Sequence, residues 1–174
     1  LMIRRPPRST LSPSSAASDV YKRQARDLAN ADESEIEKVI SVLGLRKRAR
    51  ILKELGKYLS EKRPTSPEEL EEIPGIGAYG REILSLKLFG KGNLPVDKVV
   101  ARVISRLFLG QEPKGEKPEK DPEILEIAGI LSDRCGNNVL DLAYALMDLG
   151  DEVCKPRKPD CWGCPVADFC PFRR

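Results

Sequence analysis

Residues 73–108 read IPGIGAYGREILSLKLFGKGNLPVDKVVARVISRLF, and this stretch decides the fold. Ile73-Pro74-Gly75-Ile76-Gly77 sets two glycines around one apolar residue between two helical patterns, which permits a tight hairpin that enters a helix near Ala78. Ile83, Leu84 and Leu88 mark the apolar face of that helix. Asp97 then stands directly before Val99, Val100, Val103, Ile104 and Leu107, which recur at helical spacing, so Asp97 is expected at an N-cap.

Outward from this centre the same period continues. Ile36, Val39, Ile40 and Leu43 predict a helix capped by Asp32 or Ser34 and ending near Gly44. Ala49, Leu52, Leu55 and Leu59 carry a second helix as far as Arg63-Pro64. Ser66-Pro67-Glu68-Glu69 reads as an N-cap, a proline in the first turn and acids at the positive end of a short helix reaching Ile73. Two more helices are expected around Ile124, Leu125, Ala128 and Leu131, and around Leu142, Ala143, Leu146 and Met147. No strand-like alternation of useful length occurs, which predicts an all-α fold. The stretch 111–121 is rich in Pro, Lys and Glu and lacks apolar side chains, so it reads as a linker loop between a helical domain at 25–110 and a helical segment at 122–174.

A chain of 174 residues suffices for one domain or two small ones. With 33% charged residues and no uninterrupted apolar run near the ~20 residues of a membrane span, a transmembrane role is excluded. The chain contains no histidine, which removes Ser-His-Asp and Cys-His nucleophile systems, histidine-ligated zinc and imidazole acid–base catalysis. The net charge of +3 is uneven. Residues 1–24 hold five Lys or Arg against one acid, while residues 73–108 hold Arg81, Lys87, Lys91, Lys98, Arg102 and Arg106 against Glu82 and Asp97. The second excess suits either a solvated helix face or a surface that attracts a polyanion.

Residues 1–24, LMIRRPPRSTLSPSSAASDVYKRQ, show neither a helical nor a strand period and no apolar signal-peptide core, so they are expected to be disordered. They resemble translated sequencing-adapter read-through, which would put the start of the natural sequence near Ala25. The alternative is an authentic basic tail that touches nucleic acid or a membrane surface.

Cys154-x6-Cys161-x2-Cys164-x5-Cys170 packs four cysteines into 17 residues of a polar, Pro-rich segment, which points to ligands or disulfides. The absence of a secretory signal and a fifth cysteine, Cys135, in a helical region favour metal, with Cys135 a small buried hydrophobe. Zinc ribbons use two C-x2-C pairs at a distance, whereas one compact uneven loop suits the four corners of a [4Fe–4S] cluster. Lys155, Arg157 and Lys158 lie inside the first ligand loop, where they would flank the cluster and face phosphates.

Amides of the Gly75-Ile76-Gly77 turn, with the positive end of the following helix, can grip a phosphate oxygen without reading base sequence, though a plain helix–turn–helix corner would look the same. Asp97 can cap its helix and also stabilise a developing cation.

Hairpin, aspartate and cysteine loop, in the order IPGIGAYGREILSLKLFGKGNLPVDKVVARVISRLF then LMDLGDEVCKPRKPDCWGCPVADFC, resemble the helix-hairpin-helix DNA glycosylase superfamily. The likeness is to endonuclease III, the adenine glycosylases and the thymine or uracil mismatch glycosylases, and it runs from about Ala25 to the C-terminus. Leu43-Gly44-Leu45 with Arg48-Ala49 and Leu52 is similar to an earlier family helix. The resemblance implies a partial all-α helix-hairpin-helix glycosylase fold with a C-terminal [4Fe–4S] loop on Cys154, Cys161, Cys164 and Cys170. It also implies an enzyme that flips a base and hydrolyses its N-glycosidic bond, with Asp97 as the catalytic aspartate.

Tyr79 occupies the position where bifunctional members carry the Schiff-base lysine, so the chain resembles monofunctional members in which this residue lies at the base pocket. An ordinary helix-start aromatic packed on the hairpin is the alternative. Pro74, Gly75, Ile76, Gly77, Lys98, Arg157 and Lys158 are the expected DNA contacts. Asp97-Lys98-Val99 departs from the mismatch and adenine glycosylases, which follow the aspartate with a small residue and Asn. The resemblance thus implies base excision repair of T or U opposite G, by a cytoplasmic, nucleoid-associated monomer acting on double-stranded DNA away from membranes. The alternatives are an adenine glycosylase, an endonuclease III-type glycosylase/lyase, and a non-catalytic DNA-binding module or inactive fragment. The family's further N-terminal helices have no counterpart before Ala25, so exposed apolar faces are expected on 33–43 and 98–109.

Overall fold

The computed structural model describes residues 24–173; of the proposed leader, all but Gln24 lies outside the described residues. These residues are helical and form no strand, with seven α-helices joined by short 3₁₀ turns. They fall into two compact units, 24–64 with 72–75, and 65–71 with 76–173, and this division does not follow a boundary at 110/111.

The first unit holds α1 (Ala25–Asn30), α2 (Glu33–Ile40) and α3 (Ala49–Glu61). Its small core is Ala31, Ile36 and Ala49, with Leu28, Ile40 and Leu52 packed against it. Asp32, not Ser34, occupies the N-cap of α2, and a 3₁₀ turn at Ser41–Leu43 ends at Gly44 in the left-handed conformation. Val39, Val42 and Leu43 are exposed, as expected for this segment. Helices α1 and α3 touch at Gly56, where a Cβ would lie 2.7 Å from the Ala29 nitrogen. Glu72 is tied to α3 by Lys62 at 2.7 Å and by the Tyr58 hydroxyl at 3.5 Å. Gly75, at φ 77°, lies so close to α3 that a Cβ there would sit 2.1 Å from Ile51 Cγ2.

The second unit contains α4 (Ala78–Phe89), α5 (Lys98–Leu109), α6 (Pro122–Cys135) and α7 (Val139–Asp148), the last continued by a π-helical turn at Leu149–Val153. The short helix expected after Ser66 is 3₁₀, spanning Glu68–Glu72. At its entrance the Thr65 amide donates to the Glu69 carboxylate at 2.7 Å, while the Ser66 hydroxyl beside Glu68 holds that carboxyl below the usual carboxylate range.

The unit's core is built on α5, whose Val100, Ala101, Val103 and Ile104 pack with Ile124, Ala128, Val139, Ala143 and Leu146 of α6 and α7. This corrects the expectation of an exposed apolar face on 98–109, because two helices cover it and only Phe108 of its large apolar side chains is exposed. Free Cys135 is half-buried against this core. Residues 111–121 are docked rather than a free linker. Glu112 pairs with buried Arg106, Pro118 is buried in a 3₁₀ turn, and Asp121 caps α6 through the Glu123 amide at 2.9 Å.

Gly56→Ala is expected to lower stability by about 1–3 kcal/mol, because backbone atoms rather than a flexible side chain meet the added methyl. The drop in thermal midpoint relative to the parent chain measures it.

Candidate active site and cysteine loop

Asp97 is the N-cap of α5, in extended backbone conformation. The amides of Val99 and Val100 both donate to its Oδ1 at 2.8 Å. These bonds satisfy two of the donors a helix start leaves unpaired. Both use one oxygen, so Oδ2 makes no hydrogen bond among the described residues and remains available to a reacting group.

Tyr79, in the first turn of α4, is half-buried, and its hydroxyl donates to Met147 Sδ of α7 at 3.3 Å. Burial raises the phenol above its ordinary pKa, and the negative charge of Asp97 and the neighbouring Tyr144 add to the effect. Lys87 sits 5.6 Å from the Tyr144 ring centre. Tyr79 also lines a cleft of about 480 Å³ with Ala78, Glu82, Asn93, Leu94 and Val96.

Gly75 and Gly77 are exposed, Pro74 and Ile76 half-buried, and Gly77 is the extended N-cap of α4. Lys98, Lys155, Arg157 and Lys158 are all exposed.

The four cysteines of the terminal loop are free thiols, and Cys154, Cys161, Cys164 and Cys170 line one cavity with Arg106, Val153 and Phe172. Among the described residues no three Cys, Asp or Glu side chains converge tightly enough to hold a single ion. A zinc ion would need its thiolates about 2.3 Å from one point. Four free thiols lining one cavity are the donor set that a [4Fe–4S] group takes. Burial pushes the Cys164 thiol up, and Cys154, Cys170 and Cys161 raise it further, as four neighbouring thiols should until a cation neutralises them.

The residues that hold this loop were not among those read from the sequence. Arg106 of α5 is 1% exposed. Its Nε and one terminal nitrogen form a fork on Glu112 at 3.0 and 2.9 Å, and its guanidinium also donates to the carbonyls of Lys155 and Pro156 at 2.9 and 3.0 Å and to Cys154 Sγ at 3.4 Å. The Phe172 ring lies 4.8 Å from it. Burial opposes the charge, but the Glu112 bonds and Cys154 outweigh it and move Arg106 above its ordinary pKa. One turn earlier, Arg102 donates to the carbonyls of Cys154 and Gly150, both at 2.9 Å. Gly150 permits this approach, since a Cβ there would be 2.3 Å from Val99 Cγ1. Only the local excess of basic residues hinted at these roles, and it does not separate buried arginines from exposed ones.

Residues 15–126 match the family described as HhH-GPD superfamily base excision DNA repair protein, and residues 154–170 match the iron–sulfur binding domain of endonuclease III. A thymine-DNA glycosylase of Aeropyrum pernix is 31% identical over 148 residues, covering 82% of this chain and 66% of its own length. The adenine DNA glycosylase of Homo sapiens is 31% identical over 155 residues, covering 86% of this chain and 28% of its own. The chain thus spans just under two thirds of the first relative and less than a third of the second. A solved structure of a thermostable thymine-DNA glycosylase superposes with a TM-score of 0.74 at 28% identity, over 92% of this chain and 74% of that one.

Iron analysis of chain purified without oxygen is expected to give about four irons per chain and broad visible absorbance, whereas stoichiometric zinc would overturn the cluster assignment. Arg106→Met should lower both the iron content and the thermal midpoint.

Proposed function

The chain belongs to the HhH-GPD superfamily of base excision DNA repair proteins, and on that premise we propose that it is a monofunctional DNA glycosylase hydrolysing the N-glycosidic bond of thymine or uracil opposite guanine. The observation that carries this reading is the Asp97 carboxylate at the start of α5, with one oxygen held by two amides and the other making no hydrogen bond among the described residues, together with a tyrosine at position 79 where a lyase would present an amine. In this reading Asp97 stabilises positive charge developing on the sugar and orients the attacking water, while the positive end of α5 favours its negative charge. Tyr79 has no amine to form a Schiff base, and with its hydroxyl committed to Met147 its ring forms a wall of the base pocket. The thymine-DNA glycosylase relative supports the choice of base.

The DNA partner is a duplex with a flipped base, and its phosphates meet the Pro74-Gly75-Ile76-Gly77 hairpin through the backbone amides of Gly75, Ile76 and Gly77, proline having no N–H to give, and meet Lys98, Arg157 and Lys158 through their charges. The cysteine loop orders the last two beside the DNA. The protein acts as a monomer in the cytoplasm or nucleoid. No helix among the described residues is long and apolar enough to cross a membrane.

End-labelled duplexes carrying G·T, G·U, 8-oxoguanine·A or thymine glycol, incubated with iron-loaded chain and divided between neutral buffer and hot alkali, test the reaction. The expected result is breakage of G·T and G·U strands only after alkali, with no adduct trapped by borohydride; breaks in neutral buffer would instead assign a lyase. Asp97→Asn should reduce excision by about 100-fold or more, and unchanged excision would reject the role of Asp97. Replacing Arg157 and Lys158 by alanine should weaken binding equally for all sequences and reduce the slope of log affinity against log salt by about 2.

A further inference from the structure

The loop that delivers Asp97 is fixed almost entirely by side chains. Residues 92–96 make no backbone-to-backbone hydrogen bond among the described residues. Instead the Asn93 amide donates to Glu82 Oε2 of α4 at 2.9 Å. The Leu94 amide donates to Ser132 Oγ of α6 at 2.7 Å, and that hydroxyl donates onward to the Ala128 carbonyl at 2.7 Å. Leu94 is 3% exposed and Ser132 7%. A buried amide deprived of its only acceptor must find another by moving the chain. Pro95, next along, is fully buried and has no N–H to contribute a further tie. Two neighbouring loop amides, held by acceptors on two different helices, therefore set the position of a segment whose end is the N-cap carboxylate, three residues beyond Leu94.

We infer that Ser132 and Glu82 are positioning residues for Asp97, with Ser132 the dominant one, acting through the Leu94 and Asn93 amides on the placement of the Asp97 carboxylate over the first turn of α5. Neither touches the reacting atoms. The inference rests on the glycosylase reading only for its effect on rate; the placement itself can be read without any substrate. Removal of the Ser132 hydroxyl frees the loop to shift outward, and the Oδ1 bonds to Val99 and Val100 weaken with it.

The test compares Ser132→Ala, Ser132→Thr, Glu82→Ala and Glu82→Gln in the full iron-loaded chain. Amide hydrogen exchange by NMR reads Asn93, Leu94, Val99 and Val100, and single-turnover excision is measured beside duplex affinity. Ser132→Ala is expected to lose about 10-fold in protection at Leu94 and at both valines, and about 10-fold in single-turnover rate, with duplex affinity unchanged. Ser132→Thr and Glu82→Gln keep an acceptor and should retain most of the protection that the alanine variants lose. Protection lost at Leu94 but intact at Val99 and Val100 overturns the inference, as does a rate loss mirrored by weaker duplex binding. If the parent chain excises no base from any duplex, the glycosylase reading fails, while protection at the two valines still decides the positioning role. If Ser132→Ala does not fold, the Glu82 pair carries the same comparison, because Glu82 is only half-buried.

Discussion

A single buried guanidinium organises the part of the molecule that carries the chemistry. Arg106 is an ion withdrawn from water in the middle of a helical core, and an unpaired charge there would cost several kcal/mol. It is tolerated because its donors are met by Glu112 on one side and by successive carbonyls of the cysteine loop on the other, with Phe172 across its face. Glu112 remains half in water, so only one partner of the pair bears most of the desolvation. Satisfying Arg106 requires the segment after α5, the first turn of the cysteine loop and the C-terminal Phe172 to be in place together.

Helix α5 thereby becomes the shared member of two sites. Its first turn is shaped by Asp97, its middle is buried by α6 and α7, and its basic side chains Arg102 and Arg106 reach the carbonyls around Cys154. The π-helical turn after α7 brings the Gly150 carbonyl to Arg102, and the missing Cβ at Gly150 lets α5 lie close. A π turn inside an otherwise regular helix is commonly kept for such a functional geometry. The helix thus carries the Asp97 cap at one end and the arginines that hold the cysteine loop further along, while basic residues 155, 157 and 158 remain on the surface.

Much of this was legible beforehand, and the failures share a cause. The caps at Asp97 and Asp32 and the helix stop at Gly44 follow from side-chain chemistry acting over a few residues. The linker-loop reading of 111–121 rested on composition, which reports the absence of apolar side chains and says nothing of the charge and the buried proline that hold this loop. The expectation that 98–109 would show a bare face failed because the covering residues come from α6 and α7, more than twenty positions away. On 33–43 the outcome is divided, since Ile36 and Ile40 of the apolar face pack into the small core of the first unit while Val39 and Leu43 are exposed.

The sequence by itself determined the all-α class, the order of hairpin, aspartate and cysteine loop, and the four thiols, because residue type and short spacing are properties of the chain alone. It also placed a tyrosine at position 79, two residues after the hairpin, an identity that no folding can alter. Only the tertiary structure decided that Arg106 is interior, that Ser132 and Glu82 accept from the amides of the loop before Asp97, and that the Tyr79 hydroxyl lies on Met147. Each of these joins residues far apart in sequence, and a hydrogen bond or buried charge acquires its partner only when packing of the apolar faces has brought the helices together.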